Sequence, residues 1–267
     1  MQVISSIKNP LIKNIRSLHR RRERFKNKAF IIEGIKVVAE ALEQGYPIRN
    51  IIYTDQLLAV KDGEELFKKI QDLPNTIYVA DKVFKEISDT ENPQGLLAIA
   101  EMKNLKIEEI KMGGLPFLIY LNRLQDPGNM GTIIRTADAF KADGIIIGQG
   151  SVDPYNPKVV RATMGSIFRL PIIYEPQDYE DLEHLKARGL HIYSSSLEGS
   201  RPIYHIDFQR GFVLVIGNES NGIDEKIAAM SHSLIKVPMP GGAESLNAGI
   251  AASIIMYEAM KQRANNP

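Results

Sequence analysis

The stretch LNRLQDPGNMGTIIRTADAF, residues 121–140, passes from an apolar strand pattern through a Pro/Gly turn into a helix and carries Asn122, Arg123, Asp126, Asn129 and Arg135. A plain strand-to-helix connection needs turn formers, which accounts for Asp126 and Pro127, but it does not need so many hydrogen-bonding side chains in one place. Two more loops have the same character, GNESNG after the strand pattern FVLVI and PMPGGAESLNAG after LIKV. In open parallel α/β sheets ligands bind beyond the carboxyl ends of the strands. If the three strands are neighbours, their loops form one site. Glycines at 128, 131, 217, 222, 241 and 242 would let the backbone approach a ligand and present amide donors.

The chemistry open to these loops is narrow. No GxxxxGK[ST] is present, and GQGSVD after GIIIG fails the GxGxxG spacing, so neither a nucleoside triphosphate nor an ordinary dinucleotide is supported. The loops lack His, Cys and paired carboxylates, against a metal site, a Ser-His-Asp hydrolase or a two-carboxylate glycosidase. Asn129, Arg135, Glu219, Ser245 and Asn247 remain. They position and polarise, and only Ser245 resembles a nucleophile, which suits transfer of a group from an activated donor. Each has a plain structural alternative: Asn129, Ser245 and Asn247 as helix caps, Glu219 as half of an ion pair, Arg135 on a solvated helix face. Met164, Met239 and Phe168 read as packing residues.

Two series of elements would hold these loops. The first begins with a helix after Asn9-Pro10, which carries a basic run at its end, and continues with strand AFIIEG and a helical stripe at Ile35, Val38, Ala39 and Leu42. Strand NIIYT, helix 64–73, strand TIYVA, helix 81–87 and strand GLLAIA follow, a small layered α/β domain over 1–102. Charges and Gly113-Gly114 mark 103–116 as a linker. A second domain over 117–267 alternates strands FLIYLN, GIIIG, RLPIIY, HIYSS, FVLVIG and LIKVP with helices near 157–164, 178–188 and 224–230, and ends in a helix over 246–262. Strands this apolar predict a mostly parallel sheet covered on both faces.

Composition sets the outer bounds. A chain of 267 residues with 44% apolar content can build two cores. The absence of cysteine removes disulfides and thiolate metal sites. With no apolar leader pattern and no run long enough to span a membrane, the expectation is a cytoplasmic protein with no metal and no membrane partner. The net charge of +1 hides an asymmetry, since residues 13–28 hold eight Lys/Arg against Glu23 alone. Arg20, Arg21, Arg22 and Arg24 are candidates for RNA phosphate contacts, with a solvated helix end as the alternative.

The three loops resemble the three motifs of the SpoU/TrmH class of RNA ribose 2′-O-methyltransferases, within the SPOUT superfamily. NRLQDPGNMGTIIRTADAF is similar to motif 1, VLVIGNESNGI to motif 2 and VPMPGGAESLNAGIAASIIMYE to motif 3. RATMGSIFRLP resembles a further family segment, with Thr163 where serine is common, and AFIIEG and NPQGLLAIA resemble the attached substrate-binding domain, which has a ribosomal-protein type of fold. The resemblance implies S-adenosylmethionine held in a carboxy-terminal trefoil knot. It also implies a homodimer with the motif 1 helix and last helix near the interface, and an RNA site shared between chains. It places Gly217, Val237 and Leu246 on the cofactor through backbone contacts and Ser194 and Ser195 in its pocket, with Asn129, Arg135, Glu219, Ser245 and Asn247 at the reacting centre. Arg135 reads as a phosphate clamp rather than a base, because its pKa is so high. Ala248-Gly249 replaces a larger pair, with looser packing beneath the cofactor expected. The function implied is methylation of RNA ribose, ribosomal RNA ahead of transfer RNA. A base methyltransferase and a noncatalytic RNA-binding or ribosome-assembly factor are the alternatives.

Overall fold

The computed structural model describes residues 3–175, 179–197 and 201–264. In chain order its elements are α1 (Pro10–Leu18), α2 (Arg21–Asn27), β1 (Ala29–Glu33), α3 (Ile35–Glu43), β2 (Ile48–Tyr53), α4 (Gly63–Ile70), β3 (Thr76–Tyr78), α5 (Asp81–Phe84) and β4 (Leu96–Glu101). They continue as β5 (Phe117–Leu121), α6 (Pro127–Ala139), β6 (Gly144–Ile147), α7 (Pro157–Ala162), β7 (Ile172–Tyr174), α8 (Glu180–Ala187) and β8 (His191–Ser195). The last are β9 (Arg201–Pro202), β10 (Phe212–Ile216), α9 (Glu225–Met230), β11 (Ser233–Lys236) and α10 (Ala248–Ala264). Two compact units result, one of residues up to Lys103 together with Tyr155–Phe168, the other of Asn104–Pro154 and the residues from Arg169 onward.

The first unit has a four-stranded sheet in the order β1-β4-β2-β3, antiparallel at β1-β4 and β4-β2 and parallel at β2-β3. Asn9 caps α1 through Oδ1 to Leu11 N, 2.8 Å, and Ile12, Ile15 and Leu18 bury its inner face. The basic run does not sit at the end of α1 as expected, because the chain turns after Leu18 and forms α2. Arg24 is 2% exposed, and its Nη1 donates to Leu18 O and His19 O at 2.9 and 2.8 Å. It satisfies carbonyls orphaned at the end of α1 and therefore leaves the set of RNA candidates.

The continuous second domain expected over 117–267 is interrupted. Residues Tyr155–Phe168 pack into the first unit, with Tyr155 stacked on Phe30 at 4.5 Å and Phe168 on Tyr46 at 4.9 Å. Edge strand β1 carries apolar side chains that need cover, and this excursion supplies it.

The second unit has a seven-stranded, wholly parallel sheet in the order β7-β6-β5-β10-β8-β11-β9. Leu118, Tyr120, Val213 and Val215 pack on one face with Leu182 and Leu185 of α8 and Ile227 of α9. The intervening residues of β5 and β10 turn to the other face and are equally buried. The stretch 103–116 is not a free linker, since Ile107 and Ile110 join this core and Leu105 bridges to Ile173. At the far end of the chain, Arg263 lies over Phe212 at 4.8 Å and donates to the carbonyls of Leu115, Pro116, Phe208 and Arg210. Helix α10 packs along α6, where a Cβ added at Gly249 would meet Thr132 Cβ at 3.2 Å. Gly249 therefore allows a close contact between α10 and α6.

One buried group makes stability depend on pH. Glu175, 6% exposed, accepts from the Tyr120 hydroxyl, while its Oε1 has no partner among the described residues. Burial, partly offset by hydrogen bonds from Tyr120 and the Tyr179 backbone, pushes its carboxyl up to about 7. Because the folded value is raised, the stabilisation is complete below the unfolded value of 4.5 and is lost as pH rises through about 7. Glu175→Gln, which does not titrate, should raise stability at pH 8 by about 2 kcal/mol, with the gain vanishing toward pH 4.5. Urea midpoints at the two pH values measure it.

Candidate functional site

The carboxyl ends of β5, β10, β8 and β11 lead into one cavity of about 850 Å³. Strands β5 and β10 are neighbours as assumed from the sequence, but β8 lies between β10 and β11. A fourth loop, Ser195–Leu197, thereby enters the wall. Asn129, Glu219, Ser245 and Asn247 line the cavity, as do Ser195, Gly217, Val237 and Leu246. Ser194 does not. It is fully buried, and its Oγ pairs with Ser231 Oγ at 2.7 Å, because successive residues of a strand face opposite sides.

Glu219 stitches the first loop to the second. Its carboxylate accepts from Asn129 Nδ2 at 3.0 Å, Asp126 N at 3.0 Å and Gln125 N at 3.1 Å. Desolvation pushes this carboxyl up, but the hydrogen bonds from Asn129 and the Asp126 and Gln125 amides outweigh it and hold the group below its ordinary value, ionised. The N-cap of α6 is Asp126, whose Oδ1 accepts Asn129 N at 2.7 Å, so Asn129 is free of the capping role open to it from sequence. With Nδ2 taken by Glu219, the Asn129 amide offers Oδ1 to the cavity as an acceptor.

Asn247 does cap α10, Oδ1 accepting Gly249 N at 3.0 Å and Ile250 N at 3.2 Å, which turns its Nδ2 outward as a donor. Ser245 makes no hydrogen bond among the described residues and stands exposed at the mouth. Arg135 is not brought into this cavity. Six residues beyond Asn129 is about 240° further round the helix. Its side chain is exposed, with no hydrogen bond or ion pair among the described residues.

Asn122 and Asp224 form a second stitch that sequence reading left unassigned. Asn122 Nδ2 donates to Asp224 Oδ2 at 3.0 Å and Asp224 N returns a bond to Asn122 Oδ1 at 3.2 Å. Asn122 stood out in the sequence as a polar residue at a strand end, but its partner is 102 residues away. Lys236 and Glu225 also line the cavity, and no sequence pattern marked them.

Gly217 has a packing reason to be glycine. A Cβ there would lie 2.4 Å from the backbone C and O of Gly222, across a loop closed by Asn218 N to Gly222 O at 2.7 Å. Gly217→Ala should spread this loop and weaken occupancy of the cavity about 30-fold, or about 2 kcal/mol, which calorimetric titration with S-adenosylmethionine, the donor the motifs imply, reads.

Among the described residues no group of three or more His, Asp or Glu could hold a metal ion, and no helix is long and apolar enough to cross a membrane.

Residues 116–257 match the model of the SpoU rRNA Methylase family, and residues 9–98 match the MRM3-like substrate binding domain. The chain is 33% identical over 96% of its length, and 98% of the relative's, to the 23S rRNA (guanosine(2553)-2′-O)-methyltransferase RlmP of Bacillus subtilis. It is 31% identical to the 23S rRNA (uridine(2479)-2′-O)-methyltransferase of Streptomyces viridochromogenes, over 92% of this chain and 87% of that one. Among solved structures, the SpoU methyltransferase AviRb of Streptomyces viridochromogenes, in complex with the cofactor AdoMet, superposes with a TM-score of 0.86 at 29% identity. That likeness covers 97% of this chain and all of the other.

Proposed function

The chain belongs to the SpoU rRNA methylase family, and on that premise we propose that it moves a methyl group from S-adenosylmethionine to a ribose 2′-hydroxyl of ribosomal RNA. The observation that carries this reading is the Glu219 clamp, which fixes Asn129 at the cavity with its Oδ1 free to accept.

The cavity suits the cofactor. Its volume lies in the range of small-molecule sites, and its wall combines apolar Ile216, Leu246 and Ala251 with backbone laid bare at Gly217. Glu219 and Glu225 give a negative field that favours a sulfonium cation. When bound, the cofactor supplies an electrophilic methyl group. Asn129 Oδ1 would accept the hydrogen bond of the 2′-hydroxyl and orient that oxygen toward the cofactor, alignment supplying much of the rate, and the proton displaced on methylation would pass to solvent at the open mouth, since an amide oxygen does not take it up. Gly217, Val237 and Leu246 would hold the cofactor through backbone, with Ser195 beside them, all four lining the cavity. Asn247 Nδ2 and Ser245 Oγ donate at the mouth. The carboxy-terminal segment is read as the trefoil knot of the superfamily.

Arg135 completes the site from a second copy of the chain. Helix α10 exposes Ile250 and Tyr257, 51% and 52% accessible, two turns apart on one face, and α10 packs on the helix that carries Arg135. A homodimer through α6 and α10 covers that apolar face and sets Arg135 against the partner's cavity as a phosphate clamp.

RNA affinity is assigned to residues 1–102, where Arg20, Arg21 and Arg22 are exposed. Lys13, Arg16 and Arg20 line a groove on α1 that phosphates can follow. Ribosomal RNA is preferred to transfer RNA because the rRNA-modifying relatives match nearly the whole chain, and a cytoplasmic site of action goes with that substrate. The test is transfer of labelled methyl to ribosomal RNA from cells lacking the gene, followed by nuclease digestion and mass analysis. A methyl on the sugar is expected; one on a base, or cofactor binding without any labelled RNA, would replace this reading by one of its alternatives.

A further inference from the structure

Arg123 lies next to the cavity, its carbonyl held by Nδ2 of the wall residue Asn218, in a left-handed backbone conformation, φ +55°. A long L side chain takes that conformation at a free-energy cost that glycine or asparagine largely escapes. Packing does not repay the cost: the side chain is 52% exposed, and its ion pair, Nε to Asp224 at 3.3 Å, is accessible to water. The conformation is nonetheless enforced, because Arg123 O accepts Asn218 Nδ2 at 2.9 Å and Gln125 Nε2 at 3.2 Å. Gln125 also reaches Gly150 O, and Gly150 leaves the room that the arginine stem fills, since a Cβ there would meet Arg123 Cγ at 3.3 Å. Asp224 is itself fixed by Asn122 and Tyr179. Nε is therefore tethered to a rigid rim, while neither Nη1 nor Nη2 donates a hydrogen bond among the described residues.

Charge says what this fork is for. The cavity wall carries Glu219 and Glu225 against Lys236; close by, Asp126 N donates to Glu219 and Asp224 pairs with Arg123. An RNA strand brought here meets four carboxylates, and its phosphates need a fixed positive group beside them. We propose that Arg123 binds, through Nη1 and Nη2, an RNA phosphate next to the nucleotide whose ribose enters the cavity. A strained, preorganised residue at a functional rim fits that use, and the planar fork matches phosphate geometry. This rests on the cavity being the methyl-transfer site.

The test uses the full chain, S-adenosylmethionine and ribosomal RNA from cells in which the gene is deleted. Arg123→Asn should raise the KM for RNA about tenfold, roughly one charge-assisted contact, leave kcat within about twofold and leave cofactor affinity unchanged. The slope of log binding constant against log salt should become shallower by about 0.7 to 0.9, one phosphate contact. Because asparagine relieves the left-handed strain, Tm should not fall, whereas a purely structural arginine would lose Tm and cofactor affinity together. Arg123→Lys should restore the salt slope but only part of the KM. Unchanged KM and slope, or parallel loss of Tm and cofactor affinity, overturns the proposal. A wild-type chain that neither binds cofactor nor methylates refutes the methyl-transfer reading instead, and the salt slope still decides whether Arg123 touches phosphate.

Discussion

Asn129→Ala is expected to lower kcat for methyl transfer about 10²- to 10³-fold with little change in cofactor affinity, the usual scale for losing one preorganised polar group at a reacting centre. The side chain is 6% exposed and fixed through Nδ2 by Glu219, so Oδ1 stays in place without reorganising during the reaction. Glu219→Gln should cost nearly as much, for a different reason. One end of a glutamine amide is a donor, and in this clamp it would face the N–H groups of Gln125, Asp126 and Asn129, which the carboxylate accepts together. The double variant should be no worse than the worse single one, because the two residues act as a unit. Single-turnover transfer with saturating cofactor measures all three. Since the Glu219 carboxyl is held below its ordinary value, its contribution is present above the usual carboxylate range and is lost only as pH falls through the lowered value. Any acid limb in the rate that belongs to this clamp should therefore lie below the ordinary glutamate range, well away from neutrality.

Arg135→Ala should abolish turnover, by about 10³-fold or more, while cofactor affinity changes little. Equal loss of both would show that this arginine supports the cofactor cavity of its own chain. Arg135 does not line the cavity of its own chain, so in the proposed homodimer the loss should be complementable. Mixing Arg135→Ala with Asn129→Ala chains, each nearly inactive alone, should recover a substantial part of wild-type activity, since a mixed dimer holds one site with an intact Arg135 and an intact Asn129. No recovery on subunit exchange would place the clamp in its own protomer after all. Size-exclusion chromatography of Tyr257→Glu, a charge set in the exposed apolar face of α10, should give a monomer with the same defect.

Much of this arrangement was legible in the chain. The strand patterns FLIYLN, GIIIG, FVLVI and LIKV are apolar throughout because both faces of a parallel sheet are covered, and each became a strand of the second unit. Three glycine-rich loops with uncommitted polar residues pointed to one rim; Asn129, Gly217, Glu219, Gly222, Val237, Ser245, Leu246 and Asn247 line the cavity, whereas Arg135 and the glycines at 128, 131, 241 and 242 do not. Asn247 shows how the plain and functional accounts coexist: Oδ1 caps the helix while Nδ2 remains for the cavity. At two more places the structure differs in the direction a side chain takes. Ser194 and Ser195 are adjacent in sequence, and only strand register decides that Ser195 faces the cavity and Ser194 the core. Arg24 belongs to the same basic run as Arg20, Arg21 and Arg22, and only the turn after α1 puts its guanidinium on two backbone carbonyls.

By itself, then, the sequence determined most of the elements, though not α2 or β9, the parallel character of the larger sheet, the loops that carry chemistry and the class of that chemistry, because hydrophobic periodicity, turn residues and side-chain inventory are local properties. Tertiary structure decided which loops meet, with β8 inserted between β10 and β11, which end of the Asn129 amide is bonded, and which arginine is buried. Those outcomes depend on contacts between residues such as Asn129 and Glu219 or Asn122 and Asp224, about a hundred positions apart. The free energy of such pairings is set by register and packing, which no local pattern encodes.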